Sequence, residues 1–197
     1  MANGKTAKTS KTSGQRSTDS VVFRQGGYRE LKSYQSAKIV YDATVDFCKL
    51  YVPKKSRTHE QMVQAAHNGK QNIAEGSEAS ATSKKAELKL TGVARASLEE
   101  LLVDCEDFLR NNELPLWDKN SPDALKVRAL AYESDRSYKS YKSHVRRSPE
   151  SGANTLICLV NQATYLLRRQ MEALERQYLR RGSFTENPYR ARRRRQT

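Results

Sequence analysis

An apolar stripe that recurs every three or four residues, from about Ser83 to Arg110, constrains the fold of this chain most strongly. Its members are Leu88, Thr91, Ala94, Leu98, Leu101, Leu102, Cys105, Phe108 and Leu109. This spacing places side chains on one face of an α-helix. Because such a face must be buried against a partner, the stripe predicts a long helix that packs on other helices.

Three further segments have the same spacing. The first begins near Tyr28 and is closed by Pro53. The second opens at Thr58, with Gln61 three residues later in a capping-box pattern. The last covers residues 153–181 and is followed by Gly182, a favourable residue just past a helix end. Four long helices with short connections, and no alternating strand pattern, predict an all-α, antiparallel four-helix bundle.

The second helix has an unusual apolar face that consists mostly of small residues. The face comprises Met62, Ala65, Ala66, Gly69, Ile73 and Gly76. Glycine within a helix costs about 1 kcal/mol relative to alanine. Two glycines on one face therefore predict that another backbone packs very close to this helix.

The connections contain fewer signals. Residues 114–117 form a turn in which Trp117 is expected to plug one end of the bundle. Ser121 followed by a proline predicts a short helix that reaches about Tyr132. Residues 133–151 are rich in Ser, Lys, Arg and Tyr without periodicity, which predicts a mobile basic loop.

Positive charge is concentrated outside the centre of the chain. The formal net charge is +14, from 36 Lys and Arg against 22 Asp and Glu. Residues 26–130 are nearly balanced, whereas residues 156–197 carry ten arginines and no lysine. Basic chain ends commonly act as nucleic-acid arms, although a solvated tail is the alternative. Arginine favours the first interpretation because guanidinium binds phosphate oxygens through paired donors and stacks on bases.

These patterns divide the chain into a disordered basic arm (1–25), a bundle (26–182) that includes the 133–151 loop, and an Arg-rich tail (183–197). The cations of the loop, the last helix and the tail are the predicted contacts to nucleic acid or a partner. They are Arg136, Lys139, Lys142, Arg146, Arg147, Arg168, Arg169, Arg176, Arg180, Arg181, Arg190, Arg192, Arg193, Arg194 and Arg195. Tyr138 and Tyr141 lie among the loop cations and could stack on unpaired bases.

No catalytic or metal-binding pattern emerges from the sequence. His59 and His67 are eight residues apart, too far to converge on a metal from one helix, and His144 is distant. A Gly-rich phosphate loop, a nucleophile elbow and a C-x-x-C pair are all missing. We therefore expect a non-enzyme without cofactor, metal or small-molecule substrate.

The three cysteines are far apart and lie in apolar helical patterns, which is typical of buried thiols in a reducing compartment. The sequence lacks an apolar run of membrane-spanning length and a signal peptide. We expect a cytoplasmic protein without membrane contact.

Polar side chains of the second helix form a possible ladder of amides. They are Gln64, Asn68, Gln71, Asn72 and Glu75, in steps of three or four residues. Buried amides need hydrogen-bond partners. A polar network that fixes the register of the bundle, or a subunit contact, is the preferred interpretation, and direct contact with a ligand is the alternative.

The same segment resembles the signature of the ribosomal S23-like four-helix-bundle family. The resemblance rests on Arg57-Thr58, Gln61-Met62, Ala65-Ala66 and the run from Gly69 to Ser77. Flanking segments are similar to a branch of that family with an extended C-terminal part. They are Gly26 to Arg29, Tyr41 to Thr44, Ala94 to Leu101, Leu114 to Trp117 and Leu156 to Ala163. The match covers roughly residues 26–190.

The resemblance points to the accessory variability determinants of diversity-generating retroelements. It implies a homopentamer with a basic surface that binds a reverse transcriptase, its template RNA and the cDNA, and supports mutagenic cDNA synthesis. The family-motif residues, expected in structural or subunit contacts, are Arg57, Thr58, Gln64, Lys70, Gln71, Asn72 and Glu75. Other members are encoded in intervening sequences of 23S ribosomal RNA genes, so the alternative is an oligomeric protein-interaction module without a reverse transcriptase partner.

Overall fold

The computed structural model describes residues 27–181, with side chains as far as Leu179. Within that range the chain forms only helices, so the all-helical prediction is confirmed there. The α-helices are α1 (Lys32–Tyr51), α2 (Arg57–Ala79), α3 (Lys84–Asn111), α4 (Pro122–Ala129), α5 (Tyr138–Arg147) and α6 (Pro149–Arg181), with 3-10 helices at Gly27–Glu30 and Leu130–Tyr132. None of these helices is both long enough and apolar enough to cross a membrane.

Several predictions fall beyond that range. The arm of residues 1–25 and the tail of residues 183–197 lie outside the described residues, and so does Gly182. The tail residues Arg190 and Arg192 to Arg195 are therefore without a structural description, as are the side chains of Arg180 and Arg181.

The four long helices pack around one core, in which α1 and α3 each contact both α2 and α6. Contacts between α1 and α2 come in opposite order along the two helices. Cys48 of α1 lies 3.8 Å from Met62 of α2, measured between sulfur atoms. Earlier in α1, the ring of Tyr41 lies beneath the Lys70 ammonium of α2, 4.1 Å from the ring centre.

The predicted apolar stripes supply this core. Its largest fully buried side chains include Val40, Phe47, Met62, Ile73, Leu98, Leu101, Leu109, Leu156, Leu159 and Leu167. Each such side chain contributes about 1.5–3 kcal/mol of hydrophobic free energy when it is withdrawn from water. Trp117, the predicted plug, is half-buried and packs against the core, where its indole N–H donates to Glu150 at 2.8 Å.

Serine side chains cap the starts of α2, α3 and α4. Ser83 and Ser121 accept from the backbone N–H groups of Ala86 and Ala124, as N-caps of α3 and α4. The predicted capping box at Thr58 is wrong, because Ser56 is the N-cap of α2. The Ser56 backbone is extended, and its hydroxyl oxygen accepts from the His59 N–H at 3.1 Å.

The prediction of a mobile loop over residues 133–151 is also wrong. Its central part, residues 138–147, forms α5, in which Tyr141 and Val145, one helical turn apart, are fully buried. α6 then begins at Pro149, four residues before the predicted start. Proline is well tolerated there, since the first N–H of a helix has no partner within the helix.

The small-residue stripe of α2 faces α3 as predicted. A Cβ atom added at Gly69 would lie 2.5 Å from Cδ2 of Leu98, and one at Gly76 would lie 3.3 Å from Cβ of Leu90. Both distances are shorter than comfortable van der Waals contact. The glycines therefore allow α2 and α3 to approach more closely than helices with larger residues could.

Gly152, where α6 starts, is tighter still. A Cβ there would lie 2.7 Å from both the Val145 carbonyl oxygen and Cδ2 of Phe47, whereas one at Gly92 in α3 would make an ordinary 3.7 Å contact with Met171.

We expect Gly152→Ala to lower the free energy of unfolding by about 1–3 kcal/mol through overpacking. Gly92→Ala is the matched control and should raise it by about 0.5–1 kcal/mol through helix propensity. Urea unfolding measures both, and equal effects would contradict this packing.

Candidate nucleic-acid interface

The second half of α6 carries exposed arginines. Arg168, Arg169 and Arg176 are all on the surface. Arg169 makes a long ion pair with Glu172, at 3.7 Å, and the Arg168 guanidinium lies over the Tyr165 ring, 5.4 Å from its centre. Neither contact neutralises these groups as a close, buried pair would, so they remain free to meet phosphate.

The first half of α3 adds cations beside them. Gly92 of α3 lies next to Met171 of α6, so these two halves are neighbours. Lys85 and Lys89 are exposed and lie seven and three residues before Gly92, on the same side of α3. We call the surface formed by Lys85, Lys89, Arg168, Arg169 and Arg176 the basic end.

Both ends of the described chain are also located here. The hydroxyl of Ser33, at the start of α1, donates to the side-chain oxygen of Gln170 in α6 at 2.5 Å. The chain enters α1 from Gly27 and leaves α6 at Arg181. The basic arm of residues 1–25 and the Arg-rich tail of residues 183–197 are thus attached at the basic end.

Three predicted cations between α4 and α6 are instead held by intramolecular contacts. The Nη2 atom of Arg136 donates to Oγ of Ser36 and to Oε1 of Gln162, at 3.1 and 3.2 Å. Arg147 forms an ion pair with Asp123 at 3.2 Å and lies over the ring of Trp117. The third cation, Arg146, has the closest partner.

Asp46 of α1 attaches α5 to the bundle. Its carboxylate accepts two 2.6 Å hydrogen bonds from Arg146 and a third from the Tyr138 hydroxyl. The Arg146 guanidinium is the main cause that holds the pKa of Asp46 below its ordinary value. Lys139 and Lys142 are the exposed cations of α5 that form no ion pair within the described residues.

The tyrosines predicted to stack on bases do not present free rings. Tyr141 is fully buried, and Tyr138 is half-buried against the core. Within the described residues, the exposed tyrosines are Tyr132 and Tyr165, which sequence reasoning missed. Tyr165 could have been found, because it lies outside the apolar stripe of its helix.

The amide ladder of the family motif stays within α2. Gln64 donates to the Asn68 side chain, Asn72 donates to the Asn68 carbonyl, and Gln71 donates to Glu75. A network between helices, one of the predicted roles, is therefore wrong. Contact with a subunit or a ligand stays a prediction for the exposed motif residues, which are Arg57, Thr58, Gln64, Gln71 and Glu75.

A groove of about 910 Å³ separates the start of α2 from the end of α3, far from the basic end. Glu60, Glu100 and Asp104 give it an acidic lining that Arg57 only partly offsets. Desolvation, together with the charges of Asp107 and Glu100, raises the pKa of Asp104. These carboxylates make the groove itself unfavourable for a polyanion, in contrast to the basic end.

The thiols and imidazoles form no reactive cluster in the described part of the chain. Burial raises the pKa of Cys48 to about 12 and also raises the pKa of Cys105 and Cys158, which keeps these thiols protonated at neutral pH. Within residues 27–181, no group of three or more His, Cys, Asp or Glu side chains could hold a metal ion.

Comparison with known protein families, curated proteins and solved structures finds no match to this chain. The resemblance described above therefore stays a prediction.

The attachment of α5 gives a pH-dependent prediction. Asp46→Asn removes the charge that Arg146 neutralises, so we expect a thermal midpoint about 3–6 °C lower at pH 7. Because the pKa of Asp46 is lowered on folding, its stabilisation is present above the ordinary value of 3.8 and is lost as the pH falls through the folded pKa.

The wild type and Asp46→Asn should consequently converge in stability in strong acid. Asp123→Asn is the matched control, since its pair with Arg147 is exposed and should contribute little. Calorimetry between pH 2 and pH 7 measures these differences, and a gap that persists in strong acid would contradict the assignment.

Proposed function

We propose that the chain is an accessory nucleic-acid-binding subunit of a diversity-generating retroelement, where it binds the reverse transcriptase and the template RNA and supports mutagenic cDNA synthesis. In this proposal it is a non-catalytic cytoplasmic protein that needs no cofactor. The basic end carries the nucleic-acid part of the proposal. The family resemblance supports the retroelement part.

The basic end suits a phosphate backbone for two reasons. Its arginines present planar guanidinium groups, which lose less conformational entropy per hydrogen bond to phosphate than a lysine ammonium does. The arm of residues 1–25 and the tail of residues 183–197 add ten further cations to the chain. Each phosphate that is neutralised releases condensed counterions, and binding should therefore weaken steeply with salt.

The family resemblance also supplies the architecture of the assembly. In the proposal, α1, α2, α3 and α6 are the antiparallel four-helix bundle of the family, and α4 and α5 are additions to it. Five such bundles form a ring whose copies gather their basic ends. Valines on the outer side of α3 are available for contact between copies, since Val93 and Val103 are 42% and 54% exposed.

The nucleic-acid proposal is tested with matched sets of charge substitutions. Arg168→Gln, Arg169→Gln and Arg176→Gln together should lower the affinity for structured RNA and reduce the log–log salt slope by about two to three units, or roughly one per lost phosphate contact. Lys49→Gln, Lys54→Gln and Lys55→Gln remove the same charge at the opposite end of α1. This control should leave the slope nearly unchanged. Fluorescence anisotropy over a salt series gives both values.

A wild-type chain that binds RNA weakly and without salt dependence would overturn the proposal. So would equal losses from the two sets. Deletion of residues 1–25 and 183–197 should lower the affinity further, because both segments join the bundle at the basic end.

The second candidate is an oligomeric protein-interaction module, favoured by the exposed Val93 and Val103. Both candidates predict self-association. Sedimentation velocity should give five times the chain mass of 22.4 kDa, and a monomer would contradict the ring. Co-purification with a reverse transcriptase and salt-dependent RNA binding separate the retroelement subunit from the simple module.

A further inference from the structure

A second groove runs along the outer face of α6. α1 forms one wall, and α4 with the 3-10 helix Leu130–Tyr132 forms the other, around a volume of about 1030 Å³. Its principal lining residues are Lys32, Arg128, Tyr132, Arg136, Asn161 and Tyr165, and we call it the α6 groove. Because Lys32 adjoins Ser33, which is bonded to Gln170, the groove opens towards the basic end.

Two aromatic rings in this groove are unusually exposed. Tyr132 is 91% exposed and Tyr165 is 53% exposed, so neither contributes much to the core. An exposed phenol ring offers an apolar face at a low cost in conformational entropy, since it has only two rotatable bonds. Such rings are the platforms on which proteins stack unpaired bases.

The walls of the groove are positively charged. Lys32, Lys119, Arg128 and Arg136 outnumber the acids Glu106 and Glu133. In addition, the Arg168 guanidinium lies over the Tyr165 ring. Since Arg168 belongs to the basic end, the positive charge of the groove continues into that surface. Aromatic faces between cations match the alternation of bases and phosphates in a single strand.

Arg136 has unused donor capacity in the groove. A guanidinium has five N–H donors. Arg136 donates two hydrogen bonds, to Ser36 and Gln162, and both come from its Nη2 atom. Its Nε atom is buried against the Tyr141 side chain, out of reach of a ligand in the groove. The Nη1 atom makes no hydrogen bond within the described residues and could donate to a phosphate or base oxygen there.

We propose that the α6 groove binds unpaired nucleotides of a single-stranded nucleic acid, whose bases stack on Tyr132 and Tyr165 beside Arg136. The inference rests on the proposed nucleic-acid function and adds to it a preference for unpaired bases. A duplex cannot use the groove in this way, because its base faces are already stacked on each other. The basic end still binds duplex and single strands alike through phosphate.

Substitution of the two tyrosines tests the inference. The full-length double variant Tyr132→Leu, Tyr165→Leu should bind a short single-stranded RNA about 10- to 100-fold more weakly, which corresponds to the loss of one or two stacked bases. The matched variant Tyr132→Phe, Tyr165→Phe keeps the aromatic faces and should bind like the wild type. Because both side chains are exposed, neither variant should disturb folding.

The readouts separate stacking from charge. Fluorescence anisotropy gives affinity for the single strand and for a duplex of the same sequence, while quenching of 2-aminopurine in the single strand reports base stacking. The Leu variant should lose quenching, keep its affinity for the duplex and keep the salt slope, since no charge is removed.

Each contrary outcome has a distinct meaning. If the Leu variant binds the single strand as tightly as the wild type, and binding still depends on salt, the inferred role of the groove would be overturned. The proposed function would be left intact. Equal losses for single strand and duplex would also overturn it. A change in oligomer mass with unchanged RNA affinity would make the groove a protein contact and overturn it too. A wild-type chain that binds neither RNA would overturn both proposals.

Discussion

The close approach of α2 to α3 is the constraint on which the rest of the structure depends. A Cβ atom at Gly69 would clash with the Leu98 side chain of α3, and one at Gly76 would make a tight contact with Leu90. Since interiors are close-packed, this contact fixes the rotation of both helices about their axes. The polar flank of α2 and the charged flank of α3 then face outward. The same rotation places Lys85 and Lys89 on the side of α3 that adjoins α6.

Long periodic segments made most of the fold predictable. Most side chains of the predicted stripes in α1, α2, α3 and α6 are buried in the core. Ser121 and Pro122 mark the start of α4, as the sequence indicates. Short helices were harder to predict from the sequence. α5 has ten residues, of which only Tyr141 and Val145 are buried, too few to show a period among lysines and arginines. At α2, the capping-box pattern at Thr58 did not mark the start of the helix, because Ser56, two residues earlier, is the N-cap.

The site was predictable in composition but not in detail. A list of cations does not show which of them have acidic partners, and Arg146 meets Asp46 across 100 residues of sequence. Arg136 likewise contacts Ser36 in a distant part of the chain. Such pairs arise only when helices are brought together by the core. Within the last helix, by contrast, position relative to the stripe was enough to place Arg168 and Arg169 on the surface.

The arginines of α6 and the carboxylates between α2 and α3 are separated along the bundle, which makes the local charge of the surface uneven. The acidic groove between α2 and α3 lies at the far end from the arginines of α6. Under the proposed function, this uneven charge would favour encounters in which the basic end faces the polyanion. The α6 groove, which opens towards the basic end, would then lie on the approaching side. A strand would then reach Tyr165 because the molecule is already oriented when they meet, and a search over the surface after collision would not be needed.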